Sequence, residues 1–166
     1  MGRSMTPSPS EDEFDLWRRR LGSEANNRAW ALAEKPFRTP DEDAEMLHAA
    51  HASRFLWSRI GTEKNLALAD LLLGQVHALL GSGQAATQYA EKAFAYFTAR
   101  PSERWELAFA YAVRASAAAA CGDTLLHRHS YAEAQGIAST LTDPEDRKIF
   151  DASFSVIPKP TAGARQ

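Results

Sequence analysis

The sequence predicts an all-α protein of stacked antiparallel helix pairs, with about seven or eight helices in one domain. Three observations lead to this prediction. Apolar residues recur every three to four positions, helix-start signals with Ser, Thr or Asp stand at several points, and glycine turns separate the segments. No segment alternates apolar and polar residues as a half-buried strand does. We expect the domain over residues 10–157, between a disordered N-terminus at 1–9 and a flexible tail at 158–166.

The most strongly helical stretch is a hairpin over residues 65–98. Its hinge is Gly81-Ser82-Gly83, and so short a hinge makes the two helices antiparallel neighbours. The first arm is apolar on most of its sides, so we expect it near the centre of the domain. The apolar positions of the two arms are Leu68, Ala69, Leu72, Val76, Leu79 and Leu80, then Ala86, Tyr89, Ala90, Ala93, Phe94 and Phe97.

Two short helices are predicted at the N-terminal end. Ser10 and Glu13 form a capping-box signature, and the helix that they start is expected to stop near Gly22. A second helix covers residues 24–35 and ends before Pro36, because the position before proline disfavours helix. One apolar stripe of the first helix is expected to fold back onto the hairpin; it consists of Phe14, Trp17 and Leu21.

The clearest helix start is Thr39-Pro40-Asp41-Glu42. It combines an N-cap threonine, a proline at the first helical position and an acid at the third. The helix is predicted to continue to Ile60 and to stop at Gly61. Thr62 then caps the first arm of the hairpin.

Three further helices are predicted after the hairpin. The first covers residues 103–121, is capped by Ser102 and is rich in alanine. The turn Gly122-Asp123 leads into a helix over residues 124–141. Asp143-Pro144 then starts a last helix, whose apolar residues are Ile149, Phe150 and Phe154.

Residues 65–140 contain one pattern twice, offset by about 41 positions. In the first copy, Leu73-Gly74 precedes small residues at helical positions, and the second copy is weaker. The matching positions are Gly81, Ala86 and Ala93 in the first copy, and Tyr111, Ala115, Gly122, Tyr131 and Ala134 in the second. The pattern resembles a degenerate tetratricopeptide repeat, in which Asp70 and His77 take the places of the usual Trp and Tyr. The resemblance implies stacked helix pairs that bind a peptide or a protein.

The composition excludes several classes of function. A net charge of -2 over 166 residues gives no basic field for nucleic acid. No apolar run reaches the length of about 18 residues that spans a bilayer, and the N-terminal residues lack the apolar segment of a signal peptide. Cys121 is the only cysteine, and we expect it to be a small buried side chain. We therefore expect a cytoplasmic protein with neither a nucleic-acid nor a membrane partner.

One group of candidate residues is Glu45, His48 and His51, three positions apart on the helix that starts at Pro40. A Glu-x-x-His pair is half of a di-iron carboxylate site, but the sequence offers no second pair. A single Zn²⁺ held by His48, His51 and His77 is an alternative. The simplest interpretation is that these side chains are half-buried against a neighbouring helix, so no metal is assigned.

A second group consists of polar or amphipathic side chains within apolar helices: Arg54, Trp57, Asn65, Asp70 and His77. A polar group buried without a partner costs on the order of 1–3 kcal/mol. These residues therefore form either an internal hydrogen-bond network or a groove that faces a ligand, and both interpretations stay open. Asp70 is expected to pair with Arg54 or Arg114.

A third group lies at the start of the alanine-rich helix and comprises Trp105, Glu106, Phe109, Tyr111 and Arg114. Trp, Tyr and Arg dominate the energetics of many interfaces, although the first two could equally be core residues. The more distal His127, His129 and Glu133 are interpreted as a solvated helix face.

The leading functional hypothesis is a non-enzymatic module without a cofactor, which binds a protein or peptide partner on the face of its helix pairs. The expected contact residues are Arg54, Asn65, Asp70, His77, Trp105, Tyr111 and Arg114. A homodimer is also plausible, because the end faces of a short helix stack need capping or pairing. The competing hypothesis is a helical protein that binds a small molecule or a metal, with or without enzymatic activity, through His48, His51 and His77.

Overall fold

The structure, a computed structural model, describes residues 8–161 and contains seven α-helices and no strand within them. The prediction of an all-α stack of helix pairs is confirmed. The parts of the predicted N-terminal and C-terminal tails at 1–7 and 162–166 lie outside the described residues. The helices are α1 (Glu11–Ala33), α2 (Pro40–Ile60), α3 (Glu63–Leu79), α4 (Gly83–Thr98), α5 (Arg104–Cys121), α6 (Thr124–Ala138) and α7 (Pro144–Phe154).

The helices pack as successive pairs along the chain. The most extensive contacts join α1 to α2, α3 to α4 and α5 to α6, and α4 also packs against α5. The odd-numbered helices contact one another in order, α1 with α3, α3 with α5 and α5 with α7, whereas the even-numbered helices do not contact one another to the same degree. The stack is therefore curved, with the odd-numbered helices on its inner side.

The helix caps explain where most of these elements begin. Thr39 and Thr62 each form a full capping box, with Glu42 and Asn65 respectively, as Ser10 does at the start of α1. The predicted starts of these three helices are confirmed, as is the start of α7 after its N-cap aspartate. The predicted cap of α5 is wrong by one residue. Its N-cap is Glu103, because the Ser102 hydroxyl donates instead to the Phe97 carbonyl at 2.8 Å.

The N-terminal part of the chain differs from its prediction. A single helix, α1, replaces the two short helices, and Gly22 lies buried inside it. A Cβ atom at Gly22 would lie 3.4 Å from side-chain atoms of Leu56 and Trp57, so this glycine allows α1 and α2 to approach closely. That packing offsets the cost of about 1 kcal/mol that a glycine carries inside a helix.

The apolar stripe on the N-terminal half of α1 does not fold onto the hairpin as predicted. Phe14, Trp17 and Leu21 remain 42%, 55% and 48% exposed, because α1 is the first helix of the stack and packs mainly against α2. Self-association of the chain through such an end face stays a prediction. None of the described helices combines the length and the apolarity that crossing a membrane requires.

Two predictions about single residues near the end of α5 are also wrong. Cys121 is exposed, and its sulfur lies 3.2 Å from the Thr87 hydroxyl, because it occupies the last turn of α5 before Gly122. His127 is buried rather than solvated, and its Nε2 atom lies 2.7 Å from the Pro158 carbonyl oxygen. The segment after α7 therefore covers this side of α6.

Helix α3 is central, as its apolar pattern predicts. The buried apolar residues form two clusters, one among α1, α2 and α3 and the other from α3 to the C-terminal segment. Leu72, Leu73 and Val76 belong to the first cluster, whereas Leu71 belongs to the second. Alanine makes up most of the second cluster, so the helix backbones lie close together there.

Candidate functional site: a groove lined by tryptophan and asparagine

The inner side of the stack carries an open groove with a volume of about 600 Å³. It is lined by residues of α1, α3, α5 and α7 and by one tryptophan from α2. This lining agrees with the contacts that α1, α3, α5 and α7 make with one another. Small-molecule and cofactor sites commonly have this size. The lining residues are Ser23, Asn26, Asn27, Trp30, Ala31, Glu34, Trp57, Asn65, Leu68, Ala69, Leu71, Trp105, Phe109, Ile149 and Ser153.

Three tryptophans give the groove most of its aromatic surface. Trp30, Trp57 and Trp105 are all half-buried. The rings of Trp30 and Trp105 both meet Phe109 edge-on, with centroids at 5.9 Å and 6.2 Å, and Phe109 itself is only 7% exposed. None of the three indole N–H groups donates a hydrogen bond within the described part of the chain. Each tryptophan thus combines an apolar surface with a free donor.

Three asparagines line the same groove. Asn26 and Asn27 come from the middle of α1, and their side chains lie 3.4 Å apart. Asn65 comes from the first turn of α3, where its side-chain oxygen accepts hydrogen bonds from the Thr62 backbone N–H and hydroxyl at 3.0 Å. Its NH₂ group makes no hydrogen bond within residues 8–161. A side-chain amide offers both a donor and an acceptor, the two functions of a peptide bond.

One ionisable side chain lines the groove, that of Glu34 at the C-terminal end of α1. One of its carboxylate oxygens accepts a hydrogen bond from the Ser153 hydroxyl of α7 at 2.8 Å. Ser153 is 6% exposed, so the carboxylate is fixed against the wall of the groove.

Two of the seven predicted contact residues, Asn65 and Trp105, line this groove. Arg54 and Asp70 instead pair with each other, with 2.7 Å between Arg54 Nε and Asp70 Oδ1. The predicted pairing of Asp70 with an arginine is therefore confirmed, and Arg54 is the partner. Asp70 is only 6% exposed, so here the internal-network interpretation describes the structure.

Tyr111 and Arg114 lie at the contact between α4 and α5. The Arg114 guanidinium pairs with Glu91 at 2.7 Å and stands 4.1 Å above the ring of Phe94. Tyr111 meets the same ring edge-on, with centroids 4.9 Å apart. Neither residue lines the groove.

The candidate histidines lie on another part of the molecule. The His51 and His77 rings have centroids 5.6 Å apart, and His77 stacks on Tyr89 at an interplanar angle of 3°. His48 and His51 are exposed, and Arg28 binds Glu45 through two hydrogen bonds. Among residues 8–161, no three His, Cys, Asp or Glu side chains stand together as a metal site would require.

The half-buried His77 imidazole favours its neutral form. Its Nδ1 atom is buried without a hydrogen-bond partner within the described residues. Burial, and to a smaller extent the neighbouring His51, lowers the pKa of His77 below its ordinary value near 6.5. Protonation at this position therefore opposes folding.

This lowered pKa predicts a pH dependence of stability. As the pH falls below about 6.5, the unfolded chain takes up a proton at this site more readily than the folded chain. The folded state therefore has its full stability, as far as His77 is concerned, above about pH 6.5. This part of the stability is lost as the pH falls from about 6.5 through the lower pKa that His77 has in the folded state. We expect His77→Phe, which can keep the stacking on Tyr89, to remove this loss.

The measurement is the free energy of unfolding in urea at about pH 8 and about pH 5.5, above the range in which carboxylates titrate. The wild type should lose more stability between the two than His77→Phe does. His48→Gln, an exposed change on α2, is the control and should behave as the wild type. Equal losses in the wild type and His77→Phe would contradict the prediction.

The sequence interpretation missed most of the groove because α1 supplies much of it. Asn26, Trp30 and Glu34 lie at helical spacing on one face of α1, but the interpretation placed a break at Gly22 and treated Trp30 as an apolar residue only. Two successive asparagines inside a helix are a signal that could have been used, since asparagine is a weak helix former. Ser153 carried no signal, because its role depends on α7 reaching α1.

Comparisons of this chain with protein-family models, with curated proteins and with solved structures found no significant match.

Proposed function

We propose that this chain is a non-enzymatic binding module, similar to tetratricopeptide-repeat proteins, which holds an extended segment of a partner protein in the groove on its inner side. The observation that carries the proposal is the set of three half-buried tryptophans with side-chain amides among them, on the helices that face one another across the groove. The groove is open, so a segment of chain can lie along it.

The chemistry of the lining suits a peptide. Tryptophan contributes a large contact area at a small cost in conformational entropy, and it is enriched among residues that dominate binding energies. The amides of Asn26, Asn27 and Asn65 can hydrogen-bond with the backbone of an extended segment, whatever its sequence. With one ionisable side chain in the lining, the groove is equipped for binding rather than for proton transfer.

The spacing of the helices also supports the repeat-like interpretation. Both helices of the pair α3–α4 begin 41 positions before the corresponding helices of α5–α6, Glu63 against Arg104 and Gly83 against Thr124. Two equivalent pairs stacked side by side give the kind of continuous inner surface on which helical-repeat proteins bind their partners. The alternative function depends on His48, His51 and His77, and none of these lines the groove.

Selection of a random peptide library on the immobilised protein tests the proposal. We expect peptides to be recovered and Trp105→Ala to weaken their binding by at least about tenfold, because tryptophan truncations at interface centres commonly cost that much. Asn26→Ala should also weaken binding, with less risk to folding because Asn26 caps no helix. Binding is measured by isothermal titration calorimetry, and circular dichroism checks that each variant is folded.

The matched control is Trp17→Ala. Trp17 is 55% exposed on the N-terminal half of α1 and does not line the groove, so its loss should leave peptide binding unchanged. Recovery of no peptide, or equal weakening by the Trp17 and Trp105 substitutions, would contradict the proposed function.

A further inference from the structure

We infer that the end of the groove between α1, α5 and α7 is a pocket for a basic side chain, lysine or arginine, of the bound segment. This inference rests on the proposed function and specifies its ligand. It depends on the position of the Glu34 carboxylate, on its lack of an ion pair within the described residues, and on the aromatic rings beside it.

The geometry brings one carboxylate to a cluster of rings. Trp30 and Glu34 lie one turn apart on α1, so their side chains share a face of that helix. Across the groove, Phe109 of α5 contacts Trp30, and Ser153 of α7 donates its hydroxyl to one Glu34 oxygen at 2.8 Å. The other Glu34 oxygen accepts no hydrogen bond from residues 8–161. It is therefore available to a donor on a ligand.

The cations next to Glu34 in the chain are engaged elsewhere. Lys35 pairs with Glu42, and Arg38 pairs with Asp43 at 2.6 Å, so both interact with acids of α2. Arg38 also donates to backbone carbonyls at the end of α1, including that of Leu32 at 3.5 Å. Glu34 forms no ion pair within the described part of the chain.

The cations of the other surrounding helices do not neutralise Glu34 either. Lys64 of α3 pairs with the buried Glu106, and Arg147 of α7 pairs with Asp151. Lys148 is exposed and does not line the groove. The groove therefore has a negative charge that no ion pair within residues 8–161 balances.

The position of Glu34 on its helix also favours the binding of a cation. It is the C-cap residue of α1, where the helix dipole is negative and a carboxylate is unfavourable. No basic residue stands in the last turn of α1 to compensate for it. A cation bound at this point interacts favourably with both the carboxylate and the helix end.

The aromatic rings of the groove are free to receive a cation. Trp30 and Trp105 both contact Phe109, so they lie at the same end of the groove as Glu34. Among residues 8–161, five cations stand over aromatic rings, but none of these rings lines the groove. The rings are Phe14, Trp17, Tyr89, Phe94 and Tyr96. A guanidinium or ammonium group over a tryptophan face is attracted by the ring, most strongly when the site is partly desolvated.

The indole N–H signals in a ¹H–¹⁵N correlation spectrum can test the inference, because the chain has four tryptophans and only Trp17 lies outside the groove. The probe is Nα-acetyl-arginine amide, compared with Nα-acetyl-citrulline amide, which has nearly the same shape without the charge. We expect the arginine probe to shift the signals of Trp30 and Trp105 but not that of Trp17. The citrulline probe should bind at least about tenfold more weakly.

Two variants separate the carboxylate from the rest of the groove. Glu34→Gln keeps an oxygen that can accept from Ser153 and should weaken the arginine probe at least about tenfold. Glu24→Gln is the control, because Glu24 is an exposed residue of α1 outside the lining, and it should leave the binding of the probe unchanged.

Three outcomes would each overturn the inference. The two probes could bind equally, the wild type and Glu34→Gln could bind the arginine probe equally, or the arginine probe could shift no indole signal up to its solubility limit. The peptide selection then tests the basic-side-chain pocket separately from the proposed peptide-binding function. Selected peptides that bind the groove without a basic residue reject the basic-side-chain pocket and leave the proposed function intact. Failure of both peptides and probe rejects both.

Discussion

Replacing Phe97 with alanine is expected to lower the free energy of unfolding by about 3–5 kcal/mol. Phe97 is 1% exposed and lies in the cluster that extends from α3 to the C-terminal segment. Most residues of this cluster are alanines, whose side chains are too short to move into the cavity that the substitution leaves. We therefore expect a loss in the upper part of that range.

Urea denaturation followed by circular dichroism measures this loss. Phe37→Ala is the matched control, since Phe37 is 86% exposed in the loop between α1 and α2, and it should change stability by less than about 0.5 kcal/mol. A similar loss in the two variants would show that Phe97 does not act through burial.

Replacing Gly74 with valine is expected to cost about 3 kcal/mol, by a mechanism opposite to that of a cavity. A Cβ atom at this position would lie 2.9 Å from Val113 Cγ1 and 3.1 Å from the backbone nitrogen of Ala90. The valine side chain can shift, but the backbone of α4 can move only with the whole helix. The substitution thus separates α3 from both α4 and α5.

Gly136→Val tests whether the effect is one of space. Gly136 is also inside a helix, α6, but a Cβ atom there would meet nothing within 4 Å. Valine has a higher helix propensity than glycine, so this variant should be neutral or stabilised by up to about 0.5 kcal/mol. Equal destabilisation at the two positions would mean that valine itself, and not the closeness of the helices, is responsible.

The features that local sequence determines were predictable. Capping boxes at Thr39 and Thr62 fixed helix starts to the residue, because both partners of each box are close in sequence. The central position of α3 followed from its apolar composition. The pairing of Asp70 with Arg54 followed from the cost of burying a charge, although the sequence left Arg114 as an equal candidate.

The features that depend on the packing of one helix against another could not be predicted from local sequence. A glycine can end a helix or allow two helices to approach, and only the packing of Leu56 and Trp57 against Gly22 shows which applies. The burial of His127 depends on where the segment after α7 lies, because its ring contacts Pro158. The groove combines side chains from five helices, so sequence spacing could identify Trp105 and Asn65 but not their association with Trp30 and Glu34.

The dual role of α3 has a consequence for how the molecule loses its structure. Opposite faces of this helix hold the two hydrophobic clusters together, so neither cluster can open without exposing part of the other. A stack of independent pairs would melt in separate stages, whereas this chain should unfold as one cooperative unit. The groove, which draws on both clusters, then exists only when the whole domain is intact.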